Sequence, residues 1–143
     1  EGGEALYFNE DVIRTGLKGV LNIMRYKGLL PPGRVRKVSE PIITDQTSWI
    51  RASMSGIFTR KIKLGEMVKK GNLLGRLSDP IGDDSEDVIA PFSGVVIGQL
   101  NLPLAHEGDA LIHLGKVPDH DEAEETMEVY ASSLTDEDYG LER

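Results

Sequence analysis

The sequence predicts a mainly β domain built from two copies of one small β-unit, with a helix before it and an acidic segment after it. Two echoes carry that expectation. Arg51-Ala52-Ser53-Met54-Ser55-Gly56-Ile57-Phe58 is followed by Ile89-Ala90-Pro91-Phe92-Ser93-Gly94-Val95-Val96, with Ala52 to Ala90 and Gly56 to Gly94 both 38 residues apart. Lys70-Gly71-Asn72-Leu73-Leu74-Gly75-Arg76-Leu77 is followed by Glu107-Gly108-Asp109-Ala110-Leu111-Ile112-His113-Leu114, with Gly71 to Gly108 and Leu77 to Leu114 both 37 apart. A fixed period of this size marks a duplicated supersecondary unit. A third observation sets the scale: 143 residues with 39% hydrophobic content supply one core and exclude wholesale disorder.

The elements follow in order. Residues 9–28 read as a helix, with Asn9 as N-cap, Glu10 and Asp11 in the first turn, and Ile13, Leu17, Val20, Leu21 and Met24 at helical spacing. Gly28 suits the left-handed C′ position and Pro31-Pro32 forbid continuation. Gly16 and Gly19 cost helix propensity, so they are expected where another backbone packs close. Residues 31–48 form a connection with a short strand near Val35–Val38. From Trp49 each half alternates short apolar runs with glycine-centred turns, which reads as strands. Neither half can bury its apolar face alone, so the two are expected to interlock about a pseudo-twofold axis. Strict alternation points Leu73, Gly75 and Leu77 inward in the first half and Ala110, Ile112 and Leu114 inward in the second. Arg76 and His113 then share the equivalent outward position.

Charge is unevenly distributed. Residues 119–143 hold ten of the 24 acids and one of the 16 bases, so the net charge of -8 lies in the tail and the body is close to neutral. The tail is expected to be a solvated terminal segment. With no basic stripe interleaved with aromatics, nucleic-acid binding is disfavoured. No apolar run approaches the ~20 residues of a membrane span, and no stretch of these residues reads as a signal peptide. The absence of cysteine removes disulfides and thiolate metal sites and fits a reducing, cytoplasmic setting. The chain starts at Glu1 inside what reads as structured sequence, so a fragment is expected.

The pattern Gly65-x-x-Val68-x-x-Gly71, a hairpin, then Ala90-Pro91-x-x-Gly94-x-Val96 resembles the biotinyl/lipoyl-like barrel-sandwich hybrid. Carrier members of that group present a lysine on the hairpin between the halves. Here residues 78–87 contain none, and Lys69 and Lys70 lie in the preceding turn as surface charges. Over residues 1–115 the chain resembles the C-terminal part of the succinylglutamate desuccinylase/aspartoacylase family. Glu1-Gly2-Gly3, Gly16-Leu17-x-Gly19-Val20-x-Asn22-x-Met24, Gly28-Leu29-Leu30, Trp49-x-Arg51-Ala52 and Asp109-Ala110-Leu111 carry the likeness.

That resemblance implies the β-module of an α/β, carboxypeptidase-like zinc amidohydrolase removing N-acyl groups from amino acids or related small molecules. It implies residues 1–30 as the end of the catalytic domain, 31–48 as connection, 49–116 as the β-module and 117–143 as tail. Zinc belongs to the parent, through a His-x-x-Glu pair and a later histidine upstream of this chain. Glu1 corresponds to the family's catalytic glutamate, taking a proton from the attacking water and returning it to the leaving amine. Glu4 is the runner-up.

The other candidates read more plainly as structure. His106, His113 and His120 are separated by turns, a strand and the tail, so no metal or cofactor site is expected among them. Tyr7, Phe8, Tyr26 and Trp49 are expected to pack. Arg51 and Arg60 suit a substrate carboxylate, but solvated strand arginines are the safer expectation for both. Residues 79–84 invite calcium but lack EF-hand spacing and fit a hairpin turn. As an isolated chain no activity is expected. The alternative function is a non-catalytic barrel-sandwich binding or adaptor module, although ten residues between the halves leave no room for a coiled-coil hairpin.

Overall fold

The computed structural model describes residues 2–3, 6–33, 41–44, 46–118 and 120–135. It forms two compact units, Pro41–Met127 and the segments Glu1–Glu40 and Glu128–Arg143 together. The short strand expected near Val35–Val38 lies outside the described residues.

The first helix, α1 (Glu10–Tyr26), begins and ends as its capping residues dictate. The Asn9 side chain accepts a hydrogen bond from the Val12 N–H at 3.1 Å, satisfying one of the donors that a helix start leaves open. Gly28 takes φ 72°, and the N–H groups of Gly28 and Leu29 return to the Arg25 and Met24 carbonyls. This is the Schellman closure that a left-handed glycine permits. Leu21 is the buried residue of α1, whereas Ile13, Leu17 and Val20 stay 47%, 42% and 55% exposed. The close approach expected at Gly16 and Gly19 is not found: among the described residues nothing lies within 4 Å of a Cβ built there.

The β-unit has eight strands: β1 (Thr47–Arg51), β2 (Gly56–Arg60), β3 (Met67–Val68), β4 (Leu73–Ser78), β5 (Ser85–Ile89), β6 (Gly94–Gln99), β7 (Leu104–Ala105) and β8 (Ala110–Lys116). They form two antiparallel sheets, ordered β1-β8-β6-β3 and β5-β4-β2-β7. Moving β1 and β2 on by 38 residues gives β5 and the first five residues of β6, and moving β3 and β4 on by 37 gives β7 and the first six residues of β8. Exchanging each strand for its counterpart turns one sheet order into the other. The register obeys the same operation: Val96 faces Leu114 as Phe58 faces Leu77, and Val68 faces Gly94 as Ala105 faces Gly56. Each sheet borrows two strands from each half, so the halves interlock. Both sheets are open, and their strand order closes no barrel.

Between the sheets lie Leu74, Leu77, Leu111, Ile112 and Leu114, all at 0% exposure, with Val68, Phe58, Val88 and Val96. Burying each large aliphatic side chain contributes roughly 1.5–3 kcal/mol. Strict alternation does not hold here. Register shifts between Leu73 and Gly75 and across Ala110 to Ile112 leave Leu74 and Leu111 as extra residues in equivalent bulges. A bulge adds one residue without a cross-strand partner, so two neighbours can face the same side. Leu74 and Leu111 therefore enter the core, and Leu73, expected inward, is 38% exposed. A Cβ at Gly56 would strike the Ser78 carbonyl and one at Gly94 the Gly115 carbonyl, the same close approach in both halves.

The acidic tail is not simply a solvated segment. Residues His120–Thr135 form helix α2, with Asp121 and Glu122 in its first turn, where acids favour the N-terminal dipole. Ala123 is buried with Val95 and Val117, against Ile42 and Met67. The apolar residues Ala123 and Met127 are four apart, and that spacing within an acidic stretch is what makes it a packed helix.

Candidate functional site

Glu1 and Glu4, the expected catalytic carboxylate and its runner-up, lie outside the described residues. Of the other candidates, the structure brings few together. Tyr7, Phe8 and Tyr26 are 73%, 92% and 85% exposed, so the expected packing role is not seen for them. The Arg51 guanidinium donates to the Gly108 carbonyl at 2.8 Å, and that of Arg60 donates to the Leu100 carbonyl at 3.2 Å. Each arginine fastens one half of the β-unit to the other. The Asp79 carboxylate accepts from the Gly82 and Asp84 N–H groups, a turn closed on itself, as the hairpin reading expects.

The histidines are spread out. His106 sits in a turn where its N–H donates to the Asp109 carboxylate at 2.8 Å. His113 lies on the outer face of β8. Among the described residues, no group of three or more His, Asp or Glu is placed to hold a metal ion. The described part of the chain therefore does not fit the zinc that the family resemblance implies.

The most developed surface constellation is on the outer face of the first sheet. Trp49 on β1 faces His113 on β8, and their rings stack with centroids 4.3 Å apart and an interplanar angle of 12°. On the next strand Gly98 leaves room for both: a Cβ there would lie 3.0 Å from His113 Cβ and 3.2 Å from the indole. The symmetry counterpart on the second sheet is an ion pair. Arg76 on β4 faces Asp87 on β5, and Arg76 Nε donates to Asp87 Oδ1 at 2.6 Å. That hydrogen bond raises the arginine and holds the carboxyl below the usual carboxylate range, against a smaller desolvation effect. The expectation that Arg76 and His113 share one outward position is met. Their cross-strand partners were not anticipated, although adding 38 to Trp49 gives Asp87.

A shallow groove of about 330 Å³ runs beside β2, lined by Ile57, Thr59, Arg60, Asn101, Leu102 and Pro103 among others. No helix among the described residues is long and apolar enough to cross a membrane.

No family model matches the sequence, and no curated protein does. Solved structures do. The ectoine utilization protein EutE (DoeB) from Ruegeria pomeroyi, in a product-bound structure, is similar over 68% of this chain and 31% of its own, at 25% identity and a TM-score of 0.53. A succinylglutamate desuccinylase from Silicibacter sp. TM1040 is similar over 70% of this chain and 31% of its own, at 25% identity and a TM-score of 0.50. A succinylglutamate desuccinylase/aspartoacylase from Rhodobacter sphaeroides shares the fold over 79% of this chain and 37% of its own, at 18% identity and a TM-score of 0.56. The chain thus spans about a third of the length of the structures it matches.

Proposed function

From the fold shared with succinylglutamate desuccinylase/aspartoacylase family proteins, we propose that this chain is the C-terminal part of a hydrolase that removes N-acyl groups from amino acids or related small molecules. The observation that carries the reading is the likeness in fold to two such structures at 25% identity, over 68% and 70% of this chain. The motif Glu1-Gly2-Gly3 supports it from the sequence side.

In this reading the Glu1 carboxylate takes a proton from the attacking water and delivers it to the leaving amine as the amide bond breaks. The zinc that the resemblance implies would be held by residues upstream of this chain, where it would activate the attacking water. The β-unit contributes a rigid wall, since Arg51, Arg60 and the Asp79 carboxylate of its hairpin are already engaged with backbone groups. The hairpin between the halves, residues 78–87, has no lysine to carry a cofactor, which weighs against a carrier.

The test is metal analysis and a panel of N-acyl amino acids on a longer protein that contains this chain, beside its Glu1→Gln variant. Metal-dependent amide hydrolysis that drops by about 10²-fold or more in the variant is expected, the range of a lost general base. Undiminished turnover in Glu1→Gln removes that residue from the role, and no hydrolysis of any acyl amino acid removes the reading.

A further inference from the structure

Helix α2 rests on the first sheet through a small apolar seat. Ala123 is buried with Val95 and Val117, and Met127 is partly buried, its Cε 3.4 Å from a Cβ built at Gly65. Lys69 reaches Asp121 at 3.8 Å, but the two side chains are 63% and 88% exposed, so water and salt screen the pair. The helix gains little from its own sequence. It carries Asp121, Glu122, Glu124, Glu125 and Glu128 with no lysine or arginine, and it sets like charges four residues apart at Asp121 and Glu125 and at Glu124 and Glu128. That spacing destabilises a helix, so α2 depends on its seat.

The seat holds two of the four methionines of the chain. Met67 on β3 packs against the cluster of Val95, Val117 and Ala123, and Met127 lies over Gly65, two residues before Met67. The repeat shows that the β-unit itself does not require sulfur there. The position equivalent to Met67 is Leu104, which faces Ile57 across the strands as Met67 faces Val95. Sulfur thus stands on the half that α2 covers. Both methionines are partly buried, neither sealed in the core, so a small oxidant has access to them.

We propose that Met67 and Met127 are a reversible oxidation site, at which a hydroperoxide converts the thioethers to sulfoxides and unlatches α2 from the first sheet. At each sulfur an S–O bond forms as the peroxide O–O bond breaks. The thioether gives up two electrons, and the peroxide is reduced to water or, for an organic hydroperoxide, to its alcohol. The product is a polar group where a flexible apolar one had packed, and holding it against Val95 and Val117 costs its hydration. The first turns of α2 then leave the sheet, and their like charges favour unwinding. A methionine sulfoxide reductase reverses the step: a dithiol supplies two electrons and two protons, the oxygen leaves as water and a disulfide forms.

This site stands apart from the hydrolase reading and is tested without activity. The full 143-residue chain is treated with dilute hydrogen peroxide, with peptide mapping to locate added oxygen and hydrogen exchange to follow α2. Oxidation at Met67 and Met127 is expected, with exchange of the amides of residues 124–128 faster by tenfold or more while β4 stays protected. Reductase with a dithiol should restore the protection. The double variant Met67→Leu, Met127→Leu, which keeps Met24 and Met54, should hold its α2 protection in peroxide, and Met127→Gln should lose it with no oxidant present. Unchanged α2 exchange in a chain oxidised at both sulfurs overturns the proposal. So does the same peroxide-driven loss in the double variant, which places the effect at Met24 or Met54. Loss of protection in β4 together with α2 means general unfolding and also overturns it, as does failure of Met67 and Met127 to oxidise where free N-acetylmethionine does.

Discussion

Leu74 and Leu111, 37 residues apart, are the extra residues of equivalent bulges in β4 and β8, and both are wholly buried. The duplication therefore reaches down to an irregularity of the backbone, which doubles the leucine supply to the core in each half. Leu74→Ala and Leu111→Ala should each cost about 2–5 kcal/mol, the range for a buried leucine that leaves a cavity. Urea unfolding of the two variants measures it. A loss near zero at either position would mean that the bulge does not hold in solution.

Glycines divide by their surroundings. Gly56→Ala and Gly94→Ala place a methyl against a carbonyl of the neighbouring strand, and each should destabilise by about 1–3 kcal/mol. Gly16→Ala meets open space within α1 and should instead stabilise by about 0.5–1 kcal/mol. Thermal unfolding of the three variants reads the sign directly, and a destabilised Gly16→Ala would reveal a neighbour packed on that face.

The pair of Arg76 and Asp87 gives a pH dependence of known sign. Asp87 has its folded pKa depressed, so its contribution is present above the unfolded value of about 4 and is lost as pH falls through the folded one. Arg76 is raised, so its contribution holds below the ordinary arginine value and is lost only as pH rises beyond it. Both side chains are about half exposed, so the effect is small and screened by salt. The stability difference between wild type and Arg76→Gln should shrink as pH falls from 7 towards 2. A difference that is unchanged at pH 2 would show that packing of the arginine stem, not charge, is what counts.

Trp49 and His113 contribute through ring stacking on an open sheet face. Trp49→Ala should lose about 0.5–1.5 kcal/mol beyond the loss of buried area, as aromatic pairs do. A double-mutant cycle with His113→Ala isolates the stacking part, and a coupling of zero would dissolve the pair.

Helix α2 depends on Ala123. Ala123→Asp buries a carboxylate among Val95, Val117 and Met67, and should unpack the first turns of α2 from the sheet. Hydrogen exchange of the amides near Met127 should speed up by tenfold or more, while those of β4 stay protected. Unchanged protection near Met127 would mean that the helix holds without this contact.

Much of this was legible along the chain. Asn9 and Gly28 announced both ends of α1 because capping is a matter of a few neighbouring residues. The two echoes announced the strands, turns and their equivalence, because glycine at a close approach leaves its mark locally. The bulges were not legible: Leu73-Leu74 and Leu111-Ile112 are all apolar, so the residue pattern alone does not say which one leaves the alternation. Helix α2 was obscured by its ten-acid surroundings, in which the apolar positions Ala123 and Met127 are few. Of the candidate site, the roles of Arg51 and Arg60 as fasteners needed partners far away in sequence: Gly108 is 57 residues from Arg51 and Leu100 is 40 from Arg60. Glu1 lies outside the described residues, and its assignment rests on its motif.

By itself the sequence determined that two like units must clasp one another, because each carries its own turns and half of an apolar interface. Only the tertiary structure decided what becomes of equivalent positions. Val95 is buried and Ile57 is open, though each sits at the same place in its half. Burial depends on what else packs against a surface, and α2, a segment outside the repeat, covers one of the two.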